Sequence, residues 1–232
     1  MKNSFRIKAF KNAILWGFMN VPFYRNRGYH CAQAAMKCAL GVALPHRRFG
    51  YAELDMLTGH YLDEITYPVQ IAAAFEDMEI EYTYFVKRDT FSIILDEELF
   101  LETTERLAGK SGKTILKRTN YLAVKKAAKR LVGSEHINER SERVSIGELQ
   151  EFTNNAIPIC LLNFDRFLGR ENCFAGHYVV VTDVRNGSVT YHNTGPKGAG
   201  ANMIATSKRF MEAWELCFFD YDTIVMDVSR GL

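Results

Sequence analysis

The spacing of hydrophobic residues changes about two thirds of the way along this chain. Up to about residue 154, apolar residues mostly recur three to four positions apart, the spacing of one face of an α-helix. This pattern predicts helices at 32–42, 51–58, 69–77, 97–107, 120–132 and 145–154. The last begins with Ser145 and has Glu148 three residues later, which is the pattern of a capping box.

Short apolar runs rich in β-branched and aromatic residues predict strands. One lies early, at 81–86, and four lie late, at 157–163, 178–184, 188–192 and 217–228, with a short helix at 208–214 between the last two. Helices therefore come first and most strands come last, without regular alternation of strand and helix. This order predicts an α+β domain rather than a doubly wound α/β sheet.

The composition suits one large folded domain in a reducing compartment. Of the 232 residues, 47% are hydrophobic, which is enough to bury a full core, and we expect one domain over 21–232. The five Cys residues form no Cys-x-x-Cys pair and leave one over, so neither a disulfide framework nor a zinc ribbon is indicated. We expect a cytoplasmic protein with no cofactor and no metal ion.

Residues 1–20 are basic and then apolar, and they predict a helix before the main domain. The apolar stretch is short and no small-residue cleavage site precedes Val21, so we expect this helix to stay attached rather than to be removed as a signal sequence. We expect it to pack on the domain. An interfacial membrane helix is the alternative, because basic residues are interleaved with Phe and Ile there.

Charge is distributed in blocks along the chain. Residues 1–52 contain nine Lys and Arg and no Asp or Glu, whereas residues 106–143 contain eleven basic and three acidic residues. In the second block, basic residues recur at helical spacing beside apolar ones, which indicates solvated helix faces in a charged middle segment at about 97–143. We expect these helices to lie on the outside and to contribute no catalytic group. Nucleic-acid binding is the alternative, and we expect none.

The segment around Cys31 carries the candidate chemistry. Strong helix formers follow Cys31 and Gly28 suits a loop before it, so Cys31 is expected at the N-terminus of a buried helix. Free N–H groups, the positive end of the helix dipole and the surrounding basic residues favour a thiolate there and lower the thiol pKa. A small core residue is the alternative interpretation of a Cys in an apolar helix.

A thiolate nucleophile requires a base, and the base requires a group that orients it. His177 stands at the start of a nearly continuous apolar strand, and Asn193 stands at the end of the strand that returns after Asn186-Gly187. An Asn side chain that accepts the imidazole N–H would fix the tautomer of His177. A buried His satisfied by a backbone carbonyl is the alternative interpretation.

The turn between these two strands decides whether His177 and Asn193 can meet. A two-residue Asn186-Gly187 turn with a regular ladder would put the two side chains on opposite faces of the sheet. A register shift of one residue would make them diagonal neighbours on one face. The catalytic interpretation predicts such a shift, most simply from a three-residue loop that also includes Arg185.

Five short motifs occur in order along the chain. They are Val-Pro-Phe-Tyr at 21–24, Gly-Tyr-His-Cys at 28–31, Ile-Pro-Ile-Cys-Leu-Leu at 157–162, Gly-His-Tyr-Val-Val-Val at 176–181 and His-Asn-Thr-Gly-Pro at 192–196. Together they resemble the C39-like branch of the papain-like cysteine peptidases over about 21–225. The resemblance implies a papain-like fold, in which a helical part carrying the Cys packs on a mostly antiparallel sheet carrying the His and the Asn.

The resemblance also implies a role for each candidate residue. Cys31 corresponds to the nucleophile, His177 to the base and Asn193 to the residue that orients the base. Two differences from the family are Ala32-Gln33, where Gly-Pro commonly follows the Cys, and Asn193, where Asp is commoner. A third is Arg25, which occupies the position of the Gln that stabilises the oxyanion.

The expected activity is thiol-dependent hydrolysis of a peptide or other amide bond through an acyl-enzyme on Cys31, with a peptide or protein substrate. Acyl transfer to an amine is a close variant. In an enzyme, either the Arg25 guanidinium or the Asn26 side chain is expected to point into the cleft as the oxyanion donor. The alternative is a non-catalytic papain-like module that binds a peptide or protein partner in the same cleft.

Overall fold

The structure is a computed structural model that describes residues 20–170, 174–195, 198–215 and 222–228. Helices α1 to α3 are Cys31–Ala43, Tyr51–Thr58 and Pro68–Asp77, and helices α4 to α7 are Thr90–Leu95, Glu97–Ala108, Gly112–Lys117 and Tyr121–Leu131. A 3-10 turn at Gly109–Ser111 joins α5 to α6. Helices α8 to α10 are Ile146–Phe152, Phe164–Phe167 and Ser207–Trp214.

Within the described residues, seven strands form one sheet. Strands β1 to β7 are Tyr82–Lys87, Ile137–Arg140, Ala156–Asn163, Gly176–Arg185, Ser188–Asn193, Gly200–Thr206 and Thr223–Asp227. Their order across the sheet is β2-β1-β7-β3-β4-β5-β6. Strand β2 pairs with β1 in parallel, and the other neighbouring pairs are antiparallel. The predicted α+β class is confirmed.

Both faces of the sheet are covered, and each face has its own apolar core. Along β3, Ile159 and Leu161 belong to the core on the side of α1, whereas Cys160 and Leu162 belong to the core on the side of α8 and α10. Every residue of β3 is buried. Burial on both faces explains why the sequence of this strand is a continuous apolar run instead of an alternating one.

Side-chain caps define where two of the helices begin. At α8, the Ser145 hydroxyl accepts from the Glu148 N–H at 3.2 Å, and the Ser145 N–H donates to Glu148 Oε2 at 2.8 Å, which is the predicted capping box. At α7, Asn120 Oδ1 accepts from the Ala123 N–H at 3.2 Å. Because these bonds are local, both helices begin within one residue of their predicted start.

The hydrophobic pattern misses two strands, β2 and β6, and three short helices, α4, α6 and α9. Strand β6 is the largest difference, because it begins at Gly200, in a stretch expected to be a loop before the helix at 208–214. Of its side chains, only that of Ala205 is buried. A strand with so little buried surface has no apolar alternation to recognise, and its ladder with β5 orders it instead.

The charged middle segment is more than a solvated surface. On α7, Lys126 and Lys129 are exposed, as expected, but Val124 and Leu131 are fully buried in the main core. On α5, Phe100 is also fully buried. The expectation that these helices lie only on the outside is therefore corrected, because one face of each belongs to the core.

The predicted helix at 1–20 lies outside the described residues, apart from residue 20. The predicted strand at 217–228 overlaps a second stretch that the structure does not describe, and its described part is β7. No helix among the described residues combines the length and the apolar character that crossing a bilayer requires.

Replacing Leu131 by Ala should lower the free energy of unfolding by about 2 to 5 kcal/mol, the usual cost of a large-to-small change in a filled core. Leu122→Ala, at a side chain of the same helix that is 76% exposed, is the matched control and should change it by less than about 0.5 kcal/mol. Urea unfolding followed by circular dichroism measures both. Equal effects would place α7 outside the core.

Candidate active site

Cys31 is the first residue of α1, as predicted. Asn26 anchors the loop before Cys31 through two hydrogen bonds. The Asn26 backbone N–H donates to the Thr194 carbonyl at 2.7 Å, and its side-chain Oδ1 accepts from the His30 N–H at 2.9 Å. Because Thr194 directly follows β5, these bonds attach the start of α1 to the end of that strand. The helix then packs on β4.

The turn between β4 and β5 contains two residues, not three. Asn186 and Gly187 both have positive φ, 51° and 71°, as a type I′ turn requires, and Arg185 pairs with Ser188. The predicted three-residue loop is therefore wrong. A type I′ turn suits the right-handed twist of the flanking strands, so the Asn-Gly pair keeps its usual geometry.

The required register shift comes from a bulge within β4. Thr182 is the extra residue in the ladder, and its hydroxyl donates to the Thr190 carbonyl at 3.3 Å. Beyond the bulge, Val179 pairs with Asn193. His177 and Asn193 consequently share a face of the sheet, and His177 Nε2 lies 2.8 Å from Asn193 Oδ1. The expected contact between these two side chains is present.

The hydrogen bonds of Asn193 assign the tautomer of His177. Asn193 Nδ2 donates to the Gly198 carbonyl at 2.9 Å, and its Oδ1 accepts from the Gly195 N–H at 3.0 Å. Oδ1 is thus the acceptor in the contact with His177, so the ring nitrogen Nε2 must carry the proton. The other nitrogen, Nδ1, then presents a lone pair, which is the form that a general base needs.

Close packing also holds the His177 ring in place. A Cβ atom added to Gly195 would lie 2.9 Å from ring carbon Cε1 and 3.0 Å from Asn193 Oδ1, both closer than such contacts normally are. The Phe164 ring also packs against the imidazole in an edge-to-face arrangement, with a centroid separation of 5.2 Å. Glycine at 195 is therefore a steric requirement of the contact between His177 and Asn193.

The Cys31 sulfur lies against the strand that carries His177. The backbone N–H of Tyr178, the residue after His177, lowers the thiol pKa of Cys31, as do the N–H groups of Ala32 and of Cys31 itself. Burial nevertheless outweighs these donors and raises the pKa of Cys31 above its ordinary value. The expected lowering of this pKa is therefore corrected. The helix start does supply donors to the sulfur, but burial penalises the thiolate more.

Burial acts on His177 in the opposite direction. The ring is nearly inaccessible, and this lowers the pKa of His177 to about 4, although the hydrogen bond to Asn193 opposes the shift. His177 is therefore neutral at pH 7, and its free nitrogen can accept a proton. In the resting state the thiol and the imidazole are both uncharged.

Arg118 is a neighbour of the site that sequence reasoning missed. It follows α6 in the middle segment, which was expected to contribute no catalytic group, and its positive charge is close enough to lower the pKa of Cys31. Its guanidinium lies 3.8 Å from the centre of the Tyr29 ring, and its Nε donates to the Asp63 carbonyl at 2.7 Å. These partners are distant in sequence, so no local pattern could have revealed the contact.

Arg25 and Asn26 were the two candidates for an oxyanion donor, and they have different surroundings. Arg25 is exposed, and its backbone carbonyl accepts from the Tyr51 hydroxyl at 2.6 Å. Asn26 is buried, at 6% exposure, between the start of α1 and the end of β5. Its Oδ1 is already bonded to His30, which leaves its Nδ2 group as the end that can donate to a substrate.

Comparison with known proteins shows a distant structural likeness. No family model matches the sequence, and no curated protein matches it. The chain is similar to the peptidase domain of Streptococcus ComA, a bifunctional ABC transporter involved in a quorum-sensing pathway. The TM-score is 0.45 and the identity 9%, over 88% of this chain and 96% of that one. At that distance the likeness assigns neither a family nor an activity to this chain.

Acid should destabilise the fold through His177. Between its ordinary pKa of 6.5 and the lowered value of about 4, the unfolded chain binds a proton that the folded chain does not, so stability falls as the pH falls. From pH 7.5 to pH 4.5 we expect a loss of about 2 to 3 kcal/mol from this group, at about 1.4 kcal/mol per pKa unit. Its hydrogen-bond partner Asn193 and its ring neighbour Phe164 are uncharged.

Urea unfolding at the two pH values, compared between the wild type and His177→Gln, measures this loss. Burial also lowers the pKa of His60 and of His192, so part of the pH dependence is shared and only the difference between the two proteins reports on His177. An identical pH dependence in both proteins would show that His177 is not buried in its neutral form.

Proposed function

We propose that this protein is a thiol-dependent hydrolase that cleaves a peptide or other amide bond through an acyl-enzyme on Cys31. The observation that carries the proposal is the hydrogen bond between His177 Nε2 and Asn193 Oδ1. It presents a neutral imidazole with a free Nδ1 on the strand that the Cys31 sulfur contacts. A nucleophile, a base and a group that orients the base are the parts that this chemistry requires.

In the proposed reaction His177 transfers two protons, one in each half of the reaction. His177 Nδ1 accepts the Cys31 thiol proton as the sulfur attacks the substrate carbonyl, and it then gives this proton to the leaving amine as the carbon–nitrogen bond breaks. Water attacks the acyl-enzyme, again losing a proton to His177, and the thiol is restored when the carbon–sulfur bond breaks. Burial disfavours an isolated Cys31 thiolate and an isolated His177 imidazolium. The two charges therefore form more easily together, as neighbours.

The developing oxyanion needs two donors in this proposal. The first is the backbone N–H of Cys31, which has no acceptor within α1 because Cys31 begins that helix. The second is Asn26 Nδ2 rather than the Arg25 guanidinium, because Asn26 is buried beside Cys31 and Arg25 is exposed. An amine could replace water in the second half of the reaction, which would make the protein an acyltransferase.

A binding module is the second candidate function, and one observation favours it. Burial raises the pKa of Cys31 and lowers that of His177, so the resting pair is uncharged and the thiol is a weak nucleophile. Under this alternative, the same cleft would hold a peptide or protein partner without forming a covalent bond. The free thiols at Cys31, Cys38 and Cys160 fit a cytoplasmic location under either function.

Incubation with p-nitrophenyl acetate separates the two functions. A hydrolase should release a burst of nitrophenolate with one acetyl group per chain, located on Cys31 by mass spectrometry, followed by slower steady release. Cys31→Ala should abolish the burst, and His177→Ala should slow it by about 10² to 10⁴-fold. His46→Gln changes an exposed His, and this matched control should leave the burst unchanged.

Acetylation of any other Cys at the same rate would contradict the assignment of Cys31. The absence of a burst in the wild type would also contradict it, provided that circular dichroism shows a folded protein. That second result would favour the binding module.

Two substitutions distinguish the proposed oxyanion donor from its neighbour. Asn26→Asp keeps the oxygen that accepts from His30 but removes the Nδ2 donor, so it should preserve the loop and slow acetylation by about 10² to 10³-fold. Arg25→Ala truncates an exposed side chain and should slow acetylation by less than about threefold. The reverse outcome, with a large effect of Arg25→Ala alone, would assign the role to Arg25.

A further inference from the structure

Three side chains that could bind a metal ion meet beside the candidate active site. His30 immediately precedes Cys31, Asp55 lies on α2 and His60 follows the end of that helix. One nitrogen or oxygen atom from each lies within 4.8 Å of the others. His30 Nε2 is already 3.1 Å from Asp55 Oδ2. Two imidazoles and a carboxylate are a common ligand set for zinc and related ions.

Both imidazoles are oriented as the ligands of a metal are. His30 Nδ1 lies 2.5 Å from the Arg27 carbonyl oxygen, and His60 Nδ1 lies 3.1 Å from the Thr66 hydroxyl. Each contact places an oxygen at Nδ1, so Nε2 is the nitrogen that can face a metal: in His60 it has no partner, and in His30 it faces Asp55. A metal-bound His usually donates its second N–H to an oxygen in this manner, which fixes the ring and raises its basicity.

Two polar atoms of the cluster are buried without a hydrogen-bond partner. Among the residues that the structure describes, His60 Nε2 and Asp55 Oδ1 have no hydrogen-bond partner. His60 as a whole is only 6% exposed. A buried polar atom without a partner is destabilising by about 1 to 3 kcal/mol, so such atoms are rare and call for an explanation. A bound cation would explain both.

A second layer of hydrogen bonds supports the ring of His60. Gln33, on α1, is fully buried, and its Nε2 donates to the hydroxyls of Thr66 and Thr58, at 3.0 Å each. Thr66 in turn contacts His60 Nδ1. The Gln that follows Cys31 by two residues therefore has a structural task, which is to hold the threonine that orients His60.

We propose that His30, Asp55 and His60 form a binding site for a divalent transition-metal ion of the zinc class. The side chains of His30 and Asp55 are 23% and 24% exposed, so an ion can enter from solvent and keep a water molecule as a further ligand. Ligand atoms about 2.1 Å from a tetrahedral zinc ion are about 3.4 Å apart, and His30 Nε2 and Asp55 Oδ2 are 3.1 Å apart. The proposal does not depend on the proposed catalytic function.

The site would join the loop before Cys31 to α2. A metal-free ion pair between a protonated His30 and Asp55 is the competing interpretation. It would satisfy His30, whose two ring nitrogens both face oxygen acceptors, but it would leave His60 Nε2 and Asp55 Oδ1 without partners. Metal binding distinguishes the two interpretations, because the ion pair predicts none.

Titration of the chelator-treated full chain with Co²⁺, followed by visible absorption, tests the proposal. The expected result is one equivalent of bound Co²⁺ with absorption bands of nitrogen and oxygen ligands and no near-ultraviolet charge-transfer band from a thiolate. Zn²⁺ should displace the Co²⁺ and raise the thermal unfolding temperature. Cys31→Ala should bind equally well. No binding in the wild type, or binding that Cys31→Ala abolishes, would overturn the proposal.

Four substitutions locate the site. His60→Gln and Asp55→Asn should each weaken Co²⁺ binding by at least about 100-fold, and Thr66→Val should weaken it by about 10 to 100-fold through the loss of the supporting bond. His46→Gln, at an exposed His, is the matched control and should bind as the wild type does. Asp55 is partly exposed, so Asp55→Asn gives a result even if His60→Gln does not fold. Unchanged binding in folded Asp55→Asn would overturn the assignment.

Discussion

The candidate site depends on the hydrogen bonds of the Asn193 side-chain amide. Its Oδ1 accepts from both the Gly195 N–H and His177 Nε2, and its Nδ2 donates to the Gly198 carbonyl. These bonds leave the amide one orientation, and that orientation leaves the imidazole one tautomer. An Asp at this position would orient the His177 ring and would also stabilise its protonated form through a negative charge. The Asn orients the ring without adding a charge, which fits a ring that burial keeps neutral.

The burial that stabilises the fold also sets the chemistry of the site. The sheet is covered on both faces, and the contact of α1 with β4 brings the Cys31 sulfur into an environment where an isolated charge is costly. Donors at the start of α1 and the N–H of Tyr178 reduce this cost without removing it. In the proposed mechanism the thiolate and the imidazolium therefore form together, which makes the position of His177 more important than the pKa of either group alone.

The surroundings of Cys31 are built from segments far apart in the chain. Arg118 approaches from the middle segment, Thr194 from the end of β5, and His30 links the loop before Cys31 to Asp55 on α2. The surroundings of Cys31 therefore depend on α2 and on the middle segment as well as on α1. This places the charged middle segment in the same structural unit as the site, and not only on its surface.

Local physical signals let the sequence alone determine much of the architecture. The start of α1 at Cys31 follows from a loop-forming glycine and the helix formers after it, and the start of α8 follows from the bond pair of Ser145 and Glu148. The buried strand β3 follows from its continuous apolar run. The adjacency of the strands that carry His177 and Asn193 also follows from the sequence, because a short turn between two apolar runs makes their strands neighbours.

Only the tertiary structure decided the quantities that depend on non-local contacts. The bulge at Thr182, which brings His177 and Asn193 onto one face, has no sequence pattern that distinguishes it from a longer loop. Strand β6 is exposed and has no apolar alternation, so its sequence does not reveal it. Its ladder with β5 orders it instead. The pKa of Cys31 also could not be predicted, since a helix start lowers it locally while burial, a property of the whole fold, raises it.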